Sequence, residues 1–271
     1  MQGFSRNTGA PAAAAAEIPA VILCGGAGTR LSAVLEGLPK ALAPVAGRPF
    51  LDHVLQKLQQ AGLRQALLCV GVLGEAIKEQ YRRCPPEGWT VAYSEEHQPL
   101  GTGGALRQAE ATIPSGTGTV LVLNGDTFLD LEFDLFLEQH LRTASAVTLA
   151  LVSVADASRY GTVRVNATGE VTSFVEKCAV RGSEKPERLF INAGWYLMQI
   201  EVLRSIPKAP PAVSLECDIL PQWIGRGLQG HVSSGFFIDI GVPEDLWRAQ
   251  IEFARRAKLP GEAAHATAHS C

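Results

Sequence analysis

Apolar residues along this chain fall into two textures. In the first, near-continuous apolar runs at residues 20–24, 66–70 and 119–123 have strand length and the composition of strands buried on both faces. Between the first two, Leu51, Val54, Leu55 and Leu58 recur at i, i+3, i+4 and i+7, which predicts a helix ended by Gly62. Helices are also expected at 75–81, 103–111 and 134–143, with a short strand at 91–94. Strand and helix patterns that alternate in this way make a parallel sheet with crossover helices.

Beyond residue 146 the texture changes. Segments 147–154, 161–165 and 171–176 alternate apolar and polar positions, and Asn166-Ala167-Thr168-Gly169 reads as a hairpin turn between the last two. Strands are expected at 188–197 and 236–240, and Ser214 is expected to cap a helix running to about Gly225. A final helix has Pro243 in its first turn beside Glu244 and Asp245. Arg255, Arg256 and Lys258 stand at its far end, so its charges match the macrodipole. No repeat or linker-like stretch divides the chain. The expectation is one domain over 19–260, with halves at 19–145 and 146–260, between a disordered tail at 1–18 and a flexible tail at 261–271.

Charge and composition remove several classes of function. The chain has 271 residues and a formal net charge of −3, which argues against a nucleic-acid partner or an anionic membrane surface. The apolar stretch at Ala12 to Ala16 is too short to span a bilayer and, with only Arg6 ahead of it, makes a poor signal peptide. Cys24, Cys69, Cys84, Cys178, Cys217 and Cys271 form no C-x-x-C pair, so they read as reduced structural thiols of a cytoplasmic protein.

The chemistry begins where the first strand ends. Gly25-Gly26-Ala27-Gly28-Thr29-Arg30-Leu31 is a glycine-rich turn with a cation, able to bring backbone N–H groups against a phosphate that a Cβ would hold off. It lacks the Gly-Lys-Ser/Thr ending of a P-loop. Leu31 stands where the third glycine of a dinucleotide fingerprint belongs, and the run at 67–70 leads into Gly71 without an acidic ribose partner, so NAD binding is not expected. Lys40, between Pro39 and Pro44, supplies a second cation. Asn124-Gly125-Asp126 stands at the carboxyl end of the most apolar strand, where open α/β sheets place ligands. Asp239 lies inside the apolar run 236–240, where a charge needs a partner or a metal.

Together the loop and Leu38-Pro39-Lys40-Ala41-Leu42-Ala43-Pro44-Val45 resemble the signature of the sugar-1-phosphate nucleotidyltransferases, L-x-GG-x-G-T-R-L followed by PK-x-x-x-P-V. Pro99-Leu100-Gly101-Thr102-Gly103-Gly104-Ala105, Arg159-Tyr160-Gly161, Glu176-Lys177, Asn192-Ala193-Gly194, Ser214-Leu215-Glu216 and the segment 236–245 carry the resemblance across residues 19–258, nearest to the D-glycero-D-manno-heptose 1-phosphate guanylyltransferases. One departure is Leu31-Ser32-Ala33-Val34-Leu35, where many relatives have Arg-Leu-x-Pro-x-Thr.

The resemblance implies a Rossmann-like mixed, mainly parallel sheet with flanking helices and a smaller antiparallel sugar-binding portion. It implies attack of a sugar 1-phosphate on the α-phosphate of a nucleoside triphosphate, with release of pyrophosphate. Leu23, Gly25, Gly26, Gly28, Thr29, Arg30, Glu96, Gly101 and Thr102 would bind the nucleotide, and Asn124, Gly161, Glu176, Lys177 and Asn192 the sugar phosphate. Asp126 and Asp239 would hold Mg²⁺, and Arg30, Lys40 and Asp126 would be catalytic. Glu96 stands where uridylyl and thymidylyl enzymes commonly have Gln. A carboxylate accepts only, and the N1–H and N2–H₂ edge of guanine donates twice, which favours GTP. Ribose binding, or a solvent-facing Glu96, is the competing reading. Mannose 1-phosphate, a uridylyl- or thymidylyltransferase, and a non-catalytic nucleotide-sugar sensor are the alternative functions, and a homo-oligomer is compatible with the pattern.

Overall fold

The apolar runs of the first half stand side by side in one sheet. A computed structural model describes residues 15–26, 28, 30–154, 159–175, 190–208 and 212–257. In chain order the elements are β1 (Ala20–Leu23), α1 (Ser32–Leu35), β2 (Pro44–Val45), β3 (Arg48–Pro49), α2 (Phe50–Gln60), β4 (Gln65–Val70), α3 (Gly74–Arg83), β5 (Thr90–Glu95), α4 (Gly101–Ala109), β6 (Thr119–Asn124) and β7 (Thr127–Leu129). There follow α5 (Phe133–Arg142), β8 (Val147–Ser153), β9 (Thr162–Val165), β10 (Val171–Val175), β11 (Phe190–Gln199), α6 (Ile200–Ser205), β12 (Leu228–Ser233), β13 (Phe237–Asp239) and α7 (Pro243–Arg256).

β1 lies between β4 and β6 and parallel to both, with β5 parallel beyond β4. β11 closes the other side antiparallel to β6; it also pairs antiparallel with β8 at both of its ends and with β9 at Phe190 and Ile191. The β9–β10 hairpin is antiparallel, and β12 runs parallel to β8. The expected mixed, mainly parallel α/β fold with smaller antiparallel sheets is therefore present.

Strand period decides which face each residue serves. Ile22, Leu68, Leu123, Ala150 and Trp195 pack into one buried cluster with α2, α5 and α7. Their neighbours Val21, Leu67, Val122, Leu149 and Tyr196 pack into a second cluster with α4 and α6. Both faces are thus covered, which is why these strands read as unbroken apolar runs.

Three features differ from expectation. Ala15 and Ile18 are buried at 0% and 6% exposure, so packing begins before Pro19. The helix expected from Ser214 is a single π turn (Leu215–Ile219) followed by a 3₁₀ turn (Leu220–Trp223). Ser214 does cap it, accepting from Cys217 N–H at 3.1 Å, but Pro221 has no N–H with which to continue a ladder. Cys24, Cys69 and Cys217 are thiols, whereas Cys84 is disulfide-bonded, against the reading that all the cysteines are reduced. Among the described residues no helix is long and apolar enough to cross a membrane.

Candidate active site

β1, β4, β5 and β6 all end at one edge of the sheet, and the residues just past their ends line a cleft of about 430 Å³. Gly25 and Gly26 come after β1, Gly71 and Val72 after β4, Glu96 after β5, and Asp126 after β6. Leu23 and Asn124 at the strand ends, Gln98, Pro99, Gly101, Thr102 and Ala105 of the loop and helix α4, and Glu216 complete the lining.

Two glycines make the floor. A Cβ on Gly71 would sit 2.7 Å from the Gly25 carbonyl oxygen, and one on Gly25 would sit 2.6 Å from Glu96 Oε1. The two loops therefore touch backbone to backbone, with the Glu96 carboxylate laid against Gly25. Glu96 Oε2 accepts from Leu100 N–H at 3.0 Å. Burial raises the pKa of Glu96, and the Leu100 N–H opposes the rise.

The start of α4 is stitched to a distant strand-like segment. Gly103 N–H and Gly104 N–H donate to Val213 O at 2.8 and 3.3 Å, and Val213 N–H donates to Leu100 O at 2.8 Å. Thr102 Oγ1 accepts from Leu215 N–H and donates to Glu216 Oε2, both at 2.8 Å. Gly101 and Thr102 thus shape the cleft wall while two of the helix's leading N–H groups are already used.

Beside Asp126 of the cleft lining, the β7–β13 pair brings in Asp239 from 113 residues further along the chain. Asp239 is paired with Thr127, and Ile240 N–H donates to Asp126 O at 3.0 Å. Burial, and then the charge of Asp126, push the Asp239 carboxyl up to about 6, while the Gly241 N–H at 2.6 Å and Lys40 pull it down. Lys40 Nζ lies 3.0 Å from Asp126 Oδ2. Its stem crosses Gly28, where a Cβ would come within 3.3 Å of Lys40 Cγ.

Among the described residues no group of three or more His, Cys, Asp or Glu side chains converges. Two mutually repelling carboxylates nonetheless fit a magnesium ion, which is held by one or two protein carboxylates and takes phosphate and water oxygens for the rest.

The sugar-side candidates meet beside this pair. β11 shifts register between Asn192 and Tyr196, and Gly194, with φ at 72°, lies so close to Asn124 that a Cβ would be 2.5 Å from its Nδ2. Asn192 N–H donates to Gly161 O at 3.2 Å, and Asn192 Oδ1 accepts from Gly194 N–H at 3.0 Å. Asn192 Nδ2 donates to Tyr196 Oη at 2.6 Å, and that hydroxyl donates to Glu216 Oε1 at 3.4 Å.

Arg30 is exposed and outside the cleft lining, and Thr29, Glu176 and Lys177 lie outside the described residues. Sequence reasoning assigned no role to Gly71 or Val72, and carried Gln98, Pro99 and Glu216 only as parts of family motifs. Gly71 had a signal, since it ends its apolar run as Gly25 ends the first.

The family model for nucleotidyl transferases matches residues 19–256. The chain is 35% identical over 228 residues to D-glycero-alpha-D-manno-heptose 1-phosphate guanylyltransferase of Campylobacter jejuni, covering 84% of this chain and 96% of that protein. It is 31% identical to mannose-1-phosphate guanylyltransferase of Mycobacterium tuberculosis, covering 88% of this chain and 65% of that one. Among solved structures, HddC from Yersinia pseudotuberculosis complexed with GMP-PN superposes with a TM-score of 0.74 at 32% identity, over 87% of this chain and 99% of that one. Membership of such a family implies catalysis assisted by a divalent metal, which the Asp126 and Asp239 pair is suited to hold. The chain belongs to the nucleotidyl transferase family, as an enzyme that joins a nucleotide to a sugar 1-phosphate to form a nucleoside diphosphate sugar.

Proposed function

We propose that the nucleotide is GTP and the sugar is D-glycero-α-D-manno-heptose 1-phosphate, the products being GDP-heptose and pyrophosphate. Glu96 carries this reading. Its carboxylate lies on the cleft floor against Gly25, fixed through one oxygen by Leu100 N–H. An acceptor-only group suits the double-donor edge of guanine, whereas it would face a carbonyl oxygen on uracil or thymine. The Campylobacter and Mycobacterium relatives are both guanylyltransferases by name, and the Campylobacter enzyme, named for the heptose, is matched over nearly its whole length.

The reaction needs no protein nucleophile, because the sugar phosphate oxygen attacks the α-phosphate directly. What the protein supplies is alignment of two phosphates and neutralisation of their charge. Backbone N–H groups of the Gly25 to Gly28 turn cradle the triphosphate, and Arg30 balances the departing pyrophosphate. Lys40, beside Gly28 and Asp126, holds a phosphate oxygen between the turn and the carboxylates. Asp126 and Asp239 would hold Mg²⁺, which supplies charge neutralisation at the α-phosphate and the sugar phosphate. Asn124, Gly161 and Asn192 border the sugar, and Glu176 with Lys177 are assigned its hydroxyls and phosphate.

Pyrophosphate release from GTP, UTP and dTTP against heptose, mannose and glucose 1-phosphates tests the assignment. GTP with the heptose is expected to give the highest kcat/KM. In Glu96→Gln, kcat/KM for GTP is expected to fall about 10- to 10²-fold, the worth of hydrogen bonds to a charged acceptor. UTP as the preferred donor of the wild-type enzyme would overturn the base assignment, and mannose 1-phosphate as the preferred acceptor would overturn the sugar.

A further inference from the structure

The strand that carries Asp239 runs on through Ile240, Gly241 and Val242 into α7, whose first turn holds Asp245. Asp245 is 3% exposed, a setting in which an unpartnered carboxylate is strongly disfavoured. Its two oxygens are taken by different arginines. Arg248 Nη1 donates to Oδ1 at 2.6 Å from one turn further along the same helix. Arg159 Nη2 donates to Oδ2 from 86 residues earlier in the chain.

Arg159 opens the Arg159-Tyr160-Gly161 segment that leads into β9. Its guanidinium carbon lies 5.7 Å from the centre of the Tyr160 ring. The Tyr160 ring meets Phe237 of β13 edge-on at 5.8 Å, two residues before Asp239. Burial and the charge of Asp239 raise the Tyr160 hydroxyl pKa, which places that hydroxyl in the field of the Asp239 carboxylate. Gly161 O then accepts from Asn192 N–H. A glycine offers a ligand only its backbone, so the position of that backbone has to be imposed from outside. Of the contacts on this segment, the one to Asp245 is the charge-assisted pair with a buried carboxylate.

We propose that Asp245, acting through Arg159, is a positioning residue that fixes Tyr160 and Gly161 against β13. The run from Asp239 to Asp245 would then set both a metal carboxylate and the wall over the sugar ring. This rests on the reading that Gly161 and Asn192 border the sugar. A cation–carboxylate latch explains why an acid buried in the first turn of α7 reaches across to a loop when Arg248 already answers it locally. A merely structural Asp245 would lower stability and leave the two substrates equally affected.

The test uses Arg159→Gln, Asp245→Asn, Asp245→Glu and the double variant, assayed with GTP and the sugar 1-phosphate that the wild type turns over. Arg159→Gln keeps Asp245 paired with Arg248, so it removes the latch and spares the helix. Its KM for the sugar 1-phosphate is expected to rise about tenfold, the worth of one charge-assisted bond. KM for GTP stays within about twofold, and the double variant is no worse than Asp245→Asn, as coupled partners require. Asp245→Glu, which can still reach Arg159, recovers part of the loss. Hydrogen exchange supplies a readout independent of turnover: amides of 160–165 exchange about tenfold faster in Arg159→Gln, with α7 unchanged. Unchanged exchange at 160–165, or an equal rise in KM for both substrates, overturns the latch. Absence of pyrophosphate release from the wild type with every substrate pair overturns the functional reading instead, and the exchange measurement then decides the latch alone.

Discussion

Lys40 and Asp239 show how single residues hold this site in tension. Lys40 gives Asp126 a counter-charge at 3.0 Å, whereas Asp239 is answered by Gly241 N–H and raised by burial beside Asp126. Replacing Asp239 by Asn removes the repulsion, so without metal at pH 7.5 the variant should melt about 2 °C or more above the wild type. Its turnover should fall by about 10²-fold or more, as it should in Asp126→Asn and Arg30→Ala, because each loses a charge that the transition state needs. Thermal melts and pyrophosphate release check both halves, and a destabilised Asp239→Asn would mean that the carboxylates do not repel. Asp239 was legible because a charge in an apolar strand demands a reason. Glu216 was not, because its meaning lies in Thr102, 114 residues away, and in a Tyr196 hydroxyl that no spacing rule connects to it.

Elements divide in the same way between what local pattern encodes and what distant contact decides. β1, β4 and β6 were readable because each alternates between two buried faces, and α2 because its apolar residues share one side. β12 escaped notice: its Gly230 and polar Gln229 and His231 interrupt any apolar run, and Gly230 is needed because a Cβ would come within 2.6 Å of Leu151 Cδ1. The α4 start depends on contact of the same kind. Gly101 has φ at 75°, and a Cβ there would lie 2.4 Å from Val213 O. Gly101→Ala forces the 213–216 segment away from the helix. It should destabilise the fold by about 1–3 kcal/mol and raise KM for both substrates, since Thr102 and Glu216 move together. Urea midpoints with steady-state kinetics measure this, and a variant with wild-type values would show that the stitched wall is dispensable.

Acid response belongs to the whole molecule, because linkage compares the complete folded chain with the complete unfolded one. His53 and His140 are 6% and 2% exposed, and burial lowers each from 6.5 to about 4. His53 Nε2–H donates to Val45 O and its Nδ1 accepts from Arg48, both at 2.9 Å, with the Phe253 ring 4.2 Å away. A second proton would therefore point at a guanidinium. His140 Nδ1 meets Thr148 Oγ1 at 2.9 Å. Between about pH 6.5 and 4 the unfolded chain takes up protons at both imidazoles that the native fold refuses. Stability from these groups is consequently level above about pH 7 and falls as pH drops through the window, by about 1.4 kcal/mol per pH unit for each histidine. Gln at position 53 offers a similar donor and acceptor without a titration. His53→Gln should accordingly lose some stability at pH 7.5 through imperfect packing, yet show an acid slope shallower by about 1.4 kcal/mol per pH unit. Denaturant unfolding at half-unit steps from pH 7.5 to 4 gives the slope directly. If wild type and variant run parallel across that range, His53 takes up its proton in the native fold at the same pH as in the unfolded chain, and its Nδ1 does not accept from Arg48.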